Sequence, residues 1–373
     1  MLIIHTGDVH LDSKLGRYFD TAKATERRNE ILIGFQRLVQ YAADNAVRGM
    51  IIAGDLFDVR NISATSRDAV YSVIASNPGI EFYYLAGNHD ADVFFRQIID
   101  KYGEIPDNLN LFSDSWTSYE LSDGETSVVI TGAELNAENN RRLADSLSLD
   151  RNRINIVTLH GQEAETAGKK DAEIIPLREY RDRGIDFLAL GHIHEPKYEK
   201  LDARGFYSYC GCLEGRGFDE CGDRGFNLLD VSDKGIERSF VPFAKRTVHD
   251  ISVDISSAED SDDVIRIVRD SAADNRIADK DMVKVRLSGN IGINTEIDLD
   301  YIGQTLREDF YYIKTVDETE PFIDYASFAK DMSLKGEYVR LIESKAKAGE
   351  LTADEAAECI ALGVRLLKGE ELK

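Results

Sequence analysis

Five short apolar runs along the chain end in the same way. Leu2-Ile3-Ile4-His5-Thr6 runs into Gly7-Asp8-Val9-His10, and Met50-Ile51-Ile52-Ala53 into Gly54-Asp55-Leu56-Phe57-Asp58. The run Ile80 to Ala86 reaches Gly87-Asn88-His89-Asp90, Ile154 to Leu159 reaches His160-Gly161, and Phe187 to Leu190 reaches Gly191-His192-Ile193-His194. Runs of this length, bounded by Gly, read as buried strands that open into turns. Each turn receives Asp, Asn or His. In an open α/β sheet, ligands bind in the crevice beyond the carboxyl ends of the strands.

Between these strands the period changes to that of helices. Ile31, Phe35, Leu38, Val39 and Ala42 recur at helical spacing within 24–48. Further helices are predicted over 63–76, with Ser63 as N-cap, and over 92–101, 137–147 and 177–183. Strands are predicted at 109–112, 118–121 and 127–132, then hairpin strands at 197–201, 206–210, 225–231 and 235–242. Alternating β and α with hairpins between them points to two mixed sheets enclosed by helices, a four-layer α/β/β/α sandwich over 1–245. The grammar changes after that. Strands at 247–255, 282–288 and 310–316 and helices at 260–274 and 297–309 form a small α+β capping domain over 246–320. Two helices, 325–347 and 353–368, make a C-terminal helical segment over 321–373. Thr352 and Glu355 supply a capping box for the second. Their apolar stripes either pack within the protein or dock a partner's helix.

Composition narrows the class. The chain has 373 residues, 43% hydrophobic and 30% charged, as in soluble globular proteins. No apolar stretch approaches the ~20 residues that span a bilayer, and Met1 leads into a strand with no basic leader. Four cysteines give no disulfide framework in a chain this long. A reducing cytoplasm is therefore expected. The net charge of −23 runs against a nucleic-acid ligand, because phosphate contacts need clustered Lys and Arg. The acidity is spread evenly, with −12 over 1–245 and −11 beyond.

Six of the seven histidines lie in or beside the five strand ends, and His249 stands apart. One such histidine is ordinary; six gathered this way point to a polynuclear metal site. A two-ion site calls for one bridging carboxylate, for which Asp55 is suited. Asp8 and His10, two residues apart, could join His194 on one ion, and Asn88, His160 and His192 could hold the other. Imidazole, carboxylate and amide ligands without thiolate favour Mn²⁺ or Fe²⁺, with Zn²⁺ also accommodated. His89 is placed to stabilise the transition state or to protonate a leaving oxygen. Asp58 and Asp90 read as groups that orient the ligands rather than bind metal, and His5 as such a support or as part of the strand packing. Lys14, Arg17 and Arg60 flank the first two motifs and could touch phosphates. The cysteines read as small buried residues.

The order Asp-x-His, Gly-Asp-x-x-Asp, Gly-Asn-His-Asp, His-Gly, Gly-His-x-His resembles the signature of calcineurin-like metallophosphoesterases. Gly54-Asp55-Leu56-Phe57-Asp58, Gly191-His192-Ile193-His194, Tyr209-Cys210-Gly211-Cys212 and Phe218-Asp219-Glu220 are most similar to SbcD-type DNA repair exonucleases. The resemblance assigns Asp8, His10, Asp55 and His194 to one ion, Asp55, Asn88, His160 and His192 to the other, and proton donation to His89. It implies Mn²⁺-dependent hydrolysis of DNA phosphodiesters by a dimer, with an SMC-like ATPase bound to the terminal helices. Two positions depart from the family pattern. Asp12 stands where Gly is usual, and Gly211-Cys212-Leu213 where Gly-Ser-Pro is frequent. Two other readings compete: hydrolysis of a small nucleotide-type phosphoester, and a DNA-end-binding scaffold without catalysis.

Overall fold

The computed structural model describes residues 1–58, 62–87, 93–136, 139–164, 173–292, 295, 297–322, 328 and 330–367. The chain divides into two compact units, Met1–Thr247 and Val248–Lys373.

The first unit is built on two six-stranded sheets. One contains β1 (Leu2–Thr6), β2 (Gly49–Ala53), β3 (Glu81–Leu85) and β4 (Leu109–Leu111). The other contains β5 (Thr117–Ser122), β6 (Ser127–Gly132), β7 (Ile154–His160), β10 (Phe187–Gly191), β11 (Lys197–Lys200) and β12 (Phe206–Tyr209). A short pair, β8 (Gln162–Ala164) and β9 (Ile174–Pro176), follows β7. The hairpin β13 (Gly225–Ser232) and β14 (Gly235–Pro242) completes the first sheet, in the order β14-β13-β1-β2-β3-β4. The second runs β11-β12-β10-β7-β6-β5.

Alternation along the strands decides what each face meets. Ile3, Ile51, Tyr83 and Leu85 pack with Ile130, Ile156, Phe187 and Ala189 between the two sheets. The intervening residues Val157, Leu159, Leu188 and Leu190 face outward. They pack on Leu143 and Ala144 of α4 (Asn140–Ser146) and Leu177 and Tyr180 of α5 (Leu177–Tyr180). On the first sheet the alternates Ile4, Met50, Ile52 and Phe82 are fully buried too, so they lie under helices. The helices on that side are α1 (Thr21–Asp44), α2 (Ala64–Ala75) and α3 (Val93–Tyr102). The result is the α/β/β/α layering expected from the sequence.

β1, β2 and β3 are parallel, as are β6, β7 and β10, so the carboxyl ends gather at one edge of each sheet. The two edges touch there. A Cβ on Gly191 would lie 1.8 Å from the Ala53 carbonyl oxygen, so no larger residue fits this crossing. Buried charge fixes the surroundings. Arg27 on α1 donates to Glu30, Glu214 and the Gly215 carbonyl at 2.8–2.9 Å, and Arg246 also pairs with Glu30.

The second unit has a parallel sheet of β15 (Val248–Asp254), β16 (Met282–Ser288) and β18 (Tyr312–Asp317). The helices α6 (Ser261–Asp274) and α7 (Leu299–Leu306) form its crossovers, and their apolar faces share one aliphatic core with the sheet. A small pair, β17 (Asn290–Gly292) and β19 (Glu320–Phe322), was not anticipated. Neither was β8–β9, because strands of three residues carry no readable period. The terminal helices are α8 (Leu334–Lys347) and α9 (Ala353–Leu367). α8 begins at Leu334, and the expected start at 325 lies outside the described residues. Its N-cap is Ser333, whose side chain accepts from Gly336 N. The capping box of α9 is present, with Thr352 N to Glu355 Oε2 at 2.7 Å and Glu355 N to Thr352 Oγ1 at 3.2 Å.

Candidate metal centre

The turns after β1 and β2 are zipped together by backbone hydrogen bonds, Asp8 N to the Gly54 carbonyl and His10 N to the Asp55 carbonyl, each 3.0 Å. Neither turn could form on ordinary backbone. Asp8, His10, Asp55 and His192 have φ of 48, 51, 49 and 100°, in the left-handed region that costs a residue other than glycine about 1–3 kcal/mol. Such strain persists where surrounding structure imposes it, and here it brings the Asp8, His10 and Asp55 side chains together and turns the His192 backbone N–H to Asp8. Gly54 (φ 90°) lies against the ring of His160, whose Nδ1 bonds the Ala53 carbonyl at 2.9 Å. That contact joins the two sheets.

Two groups of ligand atoms result: Asp8, His10 and His194, and Asp8, Asp55 and His160. In the first, His10 Nε2 lies 3.0 Å from His194 Nε2, and these atoms are 4.0 and 3.9 Å from Asp8 Oδ1. A triangle with those sides has a centre about 2.1 Å from each corner, the length of a metal–nitrogen or metal–oxygen bond. Asp55 Oδ2 lies 3.8 Å from His10 Nε2 and 3.4 Å from His160 Nε2, so it adjoins both groups. The His192 ring stands edge-on to His160, with centroids 5.4 Å apart, and its backbone N–H donates to both Asp8 oxygens.

The electrostatics call for a cation. Burial raises the Asp8 carboxyl to about 6 and lowers His10 to about 4. Burial opposes a charge on His160 as well. The Asp55 and Asp8 carboxylates outweigh it and raise the ring to about 9. His160 Nε2 is buried with no hydrogen-bond partner among the described residues, its 3.4 Å approach to Asp55 falling outside hydrogen-bond geometry. The two buried carboxylates thus hold a positive charge at His160, as a proton on that ring or as a metal ion in its place, beside the neutral His10 ring. The residues present therefore fit a divalent-metal centre.

Carboxylates behind the histidines fix their tautomers. His10 Nδ1 donates to Asp58 Oδ1 at 3.1 Å, and Ser13 Oγ donates to the other oxygen at 2.8 Å. His194 Nδ1 lies 2.7 Å from Glu220 Oε1 and 3.1 Å from Arg216 Nη2. One nitrogen cannot serve both. An arginine has only protons to give, so Nδ1–H donates to Glu220, and the guanidinium also binds that carboxylate. In both rings the bare Nε2 then faces Asp8. Arg216, Glu220 and Ser13 were not among the expected site residues. Glu220 stood in the quoted Phe218-Asp219-Glu220, but no spacing marks a group that meets its partner 26 residues away.

His5 is fully buried between the sheets. Its Nε2 donates to the Leu190 carbonyl at 3.2 Å and its Nδ1 accepts from Asn227 Nδ2 at 3.1 Å. Burial lowers it to about 3, so it is neutral. It braces the strand that carries His192. Lys14 and Arg17 lie exposed before α1, with Arg17 over the Tyr18 ring. Asn88, His89, Asp90 and Arg60 lie outside the described residues. Cys210 and Cys212 are buried free thiols. Asp12, at φ 63°, occupies a glycine-like position and is retained through α2. Its carboxylate accepts from Ser63 N, Ser63 Oγ and Ser66 Oγ at 2.7–3.0 Å, capping that helix. A cavity lined by Tyr71, Glu81, Asp107 and Asn108 lies at the amino-terminal edge of β3, opposite this centre.

Several known proteins are similar to this chain. DNA double-strand break repair protein Mre11 of Methanosarcina acetivorans is 25% identical over 250 residues, 64% of this chain and 38% of that protein. Uncharacterized metallophosphoesterase YhaO of Bacillus subtilis is 23% identical over 73% of this chain and 67% of its own length. Mre11 of Haloferax volcanii is 25% identical over 72% and 58%. The match thus spans less than two thirds of either Mre11 protein. Among solved structures, TT1561 of Thermus thermophilus aligns with a TM-score of 0.41 at 14% identity, over 64% of this chain and 98% of that one. The model of the calcineurin-like phosphoesterase family matches residues 1–196, the stretch holding Asp8, His10, Asp55, His160, His192 and His194, and the chain belongs to that family.

Proposed function

We propose that the first unit is a two-metal phosphodiesterase that hydrolyses DNA, acting in DNA repair as the nuclease subunit beside an SMC-like ATPase. The observation that carries this reading is the pair of ligand groups that Asp55 Oδ2 adjoins, 3.8 Å from His10 Nε2 and 3.4 Å from His160 Nε2, one group having a centre at metal-bond distance from three ligand atoms. Asp8, His10 and His194 would hold one ion, Asn88, His160 and His192 the other, and Asp55 both. Mn²⁺ is the favoured occupant for this donor set, with Fe²⁺ or Zn²⁺ as alternatives. Bound there, such ions supply Lewis acidity toward a phosphoryl oxygen and lower the pKa of water. The chain's own residues do the rest. Asp58 and Glu220 hold the histidine rings, and His89 protonates the leaving oxygen.

DNA as substrate is supported by the relatives named as double-strand break repair proteins. Exposed Leu334, Leu341, Leu362 and Leu366 on α8 and α9 support docking of the ATPase there. We further propose a homodimer, and a cytoplasmic location on the strength of the four free cysteines. The net charge of −23 favours a second reading, a small nucleotide-type phosphodiester as substrate.

The test is cleavage of end-labelled duplex and single-stranded DNA with Mn²⁺ at low salt, against a small chromogenic phosphodiester. Metal-dependent DNA cleavage that falls ~10²–10⁴-fold in His89→Ala, with metal content unchanged, supports the nuclease. Turnover of the small diester alone, with or without the ATPase, would overturn it in favour of the second reading. Loss of metal in His89→Ala would make His89 a ligand.

A further inference from the structure

Arg216 lies where two otherwise separate supports of the centre meet. Its Nη2 and Nε bind Glu220 Oε1 at 2.8 and 3.1 Å, and its backbone N–H binds Glu220 Oε2 at 2.6 Å. Its Nη1 lies 3.7 Å from Asp58 Oδ1, the oxygen that accepts from His10 Nδ1. Glu220 accepts from His194 Nδ1. The chain of contacts is therefore His10–Asp58–Arg216–Glu220–His194, with both Nε2 atoms turned to the same side, 3.0 Å apart. Asp58 and Glu220 come from segments far apart in the sequence, and one guanidinium spans both.

The position of Arg216 is itself fixed from the interior. The adjacent Gly215 carbonyl accepts from buried Arg27 at 2.8 Å, and Glu214 pairs with the same Arg27. The planar fork of arginine can meet two carboxylates in fixed geometry, whereas a lysine ammonium is a single point charge. Arg216 and Glu220 both lie beyond residues 1–196 that match the family model.

We propose that Arg216 is a positioning residue for one of the two ions. Through Asp58 and Glu220 it sets the tautomer and ring angle of both His10 and His194, so the ion held by Asp8, His10 and His194 depends on it and the ion beside His160 does not. This rests on the two-ion reading above. Groups that orient metal-bound imidazoles change affinity by about 10–100-fold when removed.

The test is titration of the metal-free full chain with Mn²⁺, followed by calorimetry and by electron paramagnetic resonance. The wild type is expected to bind two ions with the signature of a coupled pair. Arg216→Ala should keep one ion at wild-type affinity, bind the other about 10–100-fold more weakly and lose the coupled signal. Arg216→Lys should not restore it. Glu220→Gln, nearly the same in shape, should weaken the same ion and keeps the proposal testable if Arg216→Ala fails to fold. Two ions at wild-type affinity in these variants, or equal weakening of both, would overturn the role of Arg216 while leaving the two-ion centre standing. A wild type that binds fewer than two ions would overturn the two-ion reading itself.

Discussion

In the first unit the parallel strands β1, β2, β7 and β10 run out into Asp8, Asp55, His160 and His192. In the second, β15, β16 and β18 run out into Asp254, Gly289 and Asp317. The topology is the same, parallel strands with helical crossovers, and the side chains at the strand ends behave differently. Asp254 Oδ1 accepts from Ser256 N and Oγ, and Asp317 Oδ1 from Thr319 N and Oγ1, all at 2.6–2.9 Å. These carboxylates close local turns. Those of the first unit are held in left-handed backbone and turned toward histidines from the other sheet. The interiors differ in the same sense. The first unit buries Arg27, Asp8, His10, Asp55 and Glu220, whereas Asp281 is the buried charged side chain among the described residues of the second. Parallel strand ends offer a place for a ligand; what makes it a site is charge that the fold has desolvated and left to be neutralised.

The comparison is broken most decisively at the ligands. Asp8→Ala should lower metal content and cut turnover by about 10³-fold, since bound ions contribute several kcal/mol of charge stabilisation. Asp254→Ala should change neither. Metal analysis with initial rates on both variants decides this, and a metal loss in Asp254→Ala would give the second unit a site as well.

Buried charge provides the next contrast. Arg27→Met leaves buried Glu214 without its arginine, although Glu30 keeps Arg246, and should destabilise the first unit by about 3–5 kcal/mol. Arg269→Ala, at the exposed pair with Asp309 in the second unit, should cost under about 1 kcal/mol. Chemical denaturation measures both. Equal effects would mean that burial does not separate the two kinds of pair.

A finer test uses pH. His5 is neutral in the folded state, lowered to about 3 by burial, against about 6.5 when unfolded. Between those values the unfolded chain binds a proton that the folded one does not. Its contribution is fully present above 6.5 and is lost as pH falls toward 3, with a slope of at most about 1.4 kcal/mol per pH unit. The single tryptophan, Trp116, lies in the first unit, so its fluorescence follows that unit alone. His5→Gln should flatten the acid limb even though it lowers stability at neutral pH; an unchanged slope would assign the acid sensitivity elsewhere.

The sequence by itself determined the strands that carry the site, the layering of the first unit and the family. Those features rest on periods of two and of 3.6, and on Gly, Asp and His at fixed places after each strand, all of which are local. It also contained Asp12, the departure from the family pattern, without its consequence. Only the folded chain brings the Asp12 carboxylate to the start of α2, 51 residues on, where capping compensates for the left-handed backbone. Glu220 and Arg216 were likewise invisible, because their meaning depends on partners that approach from another sheet. The tertiary structure decided which way each imidazole faces and how far its charge is desolvated. A histidine becomes a metal ligand through the carboxylate behind it and the water excluded around it, and neither is written in the residue's neighbours along the chain.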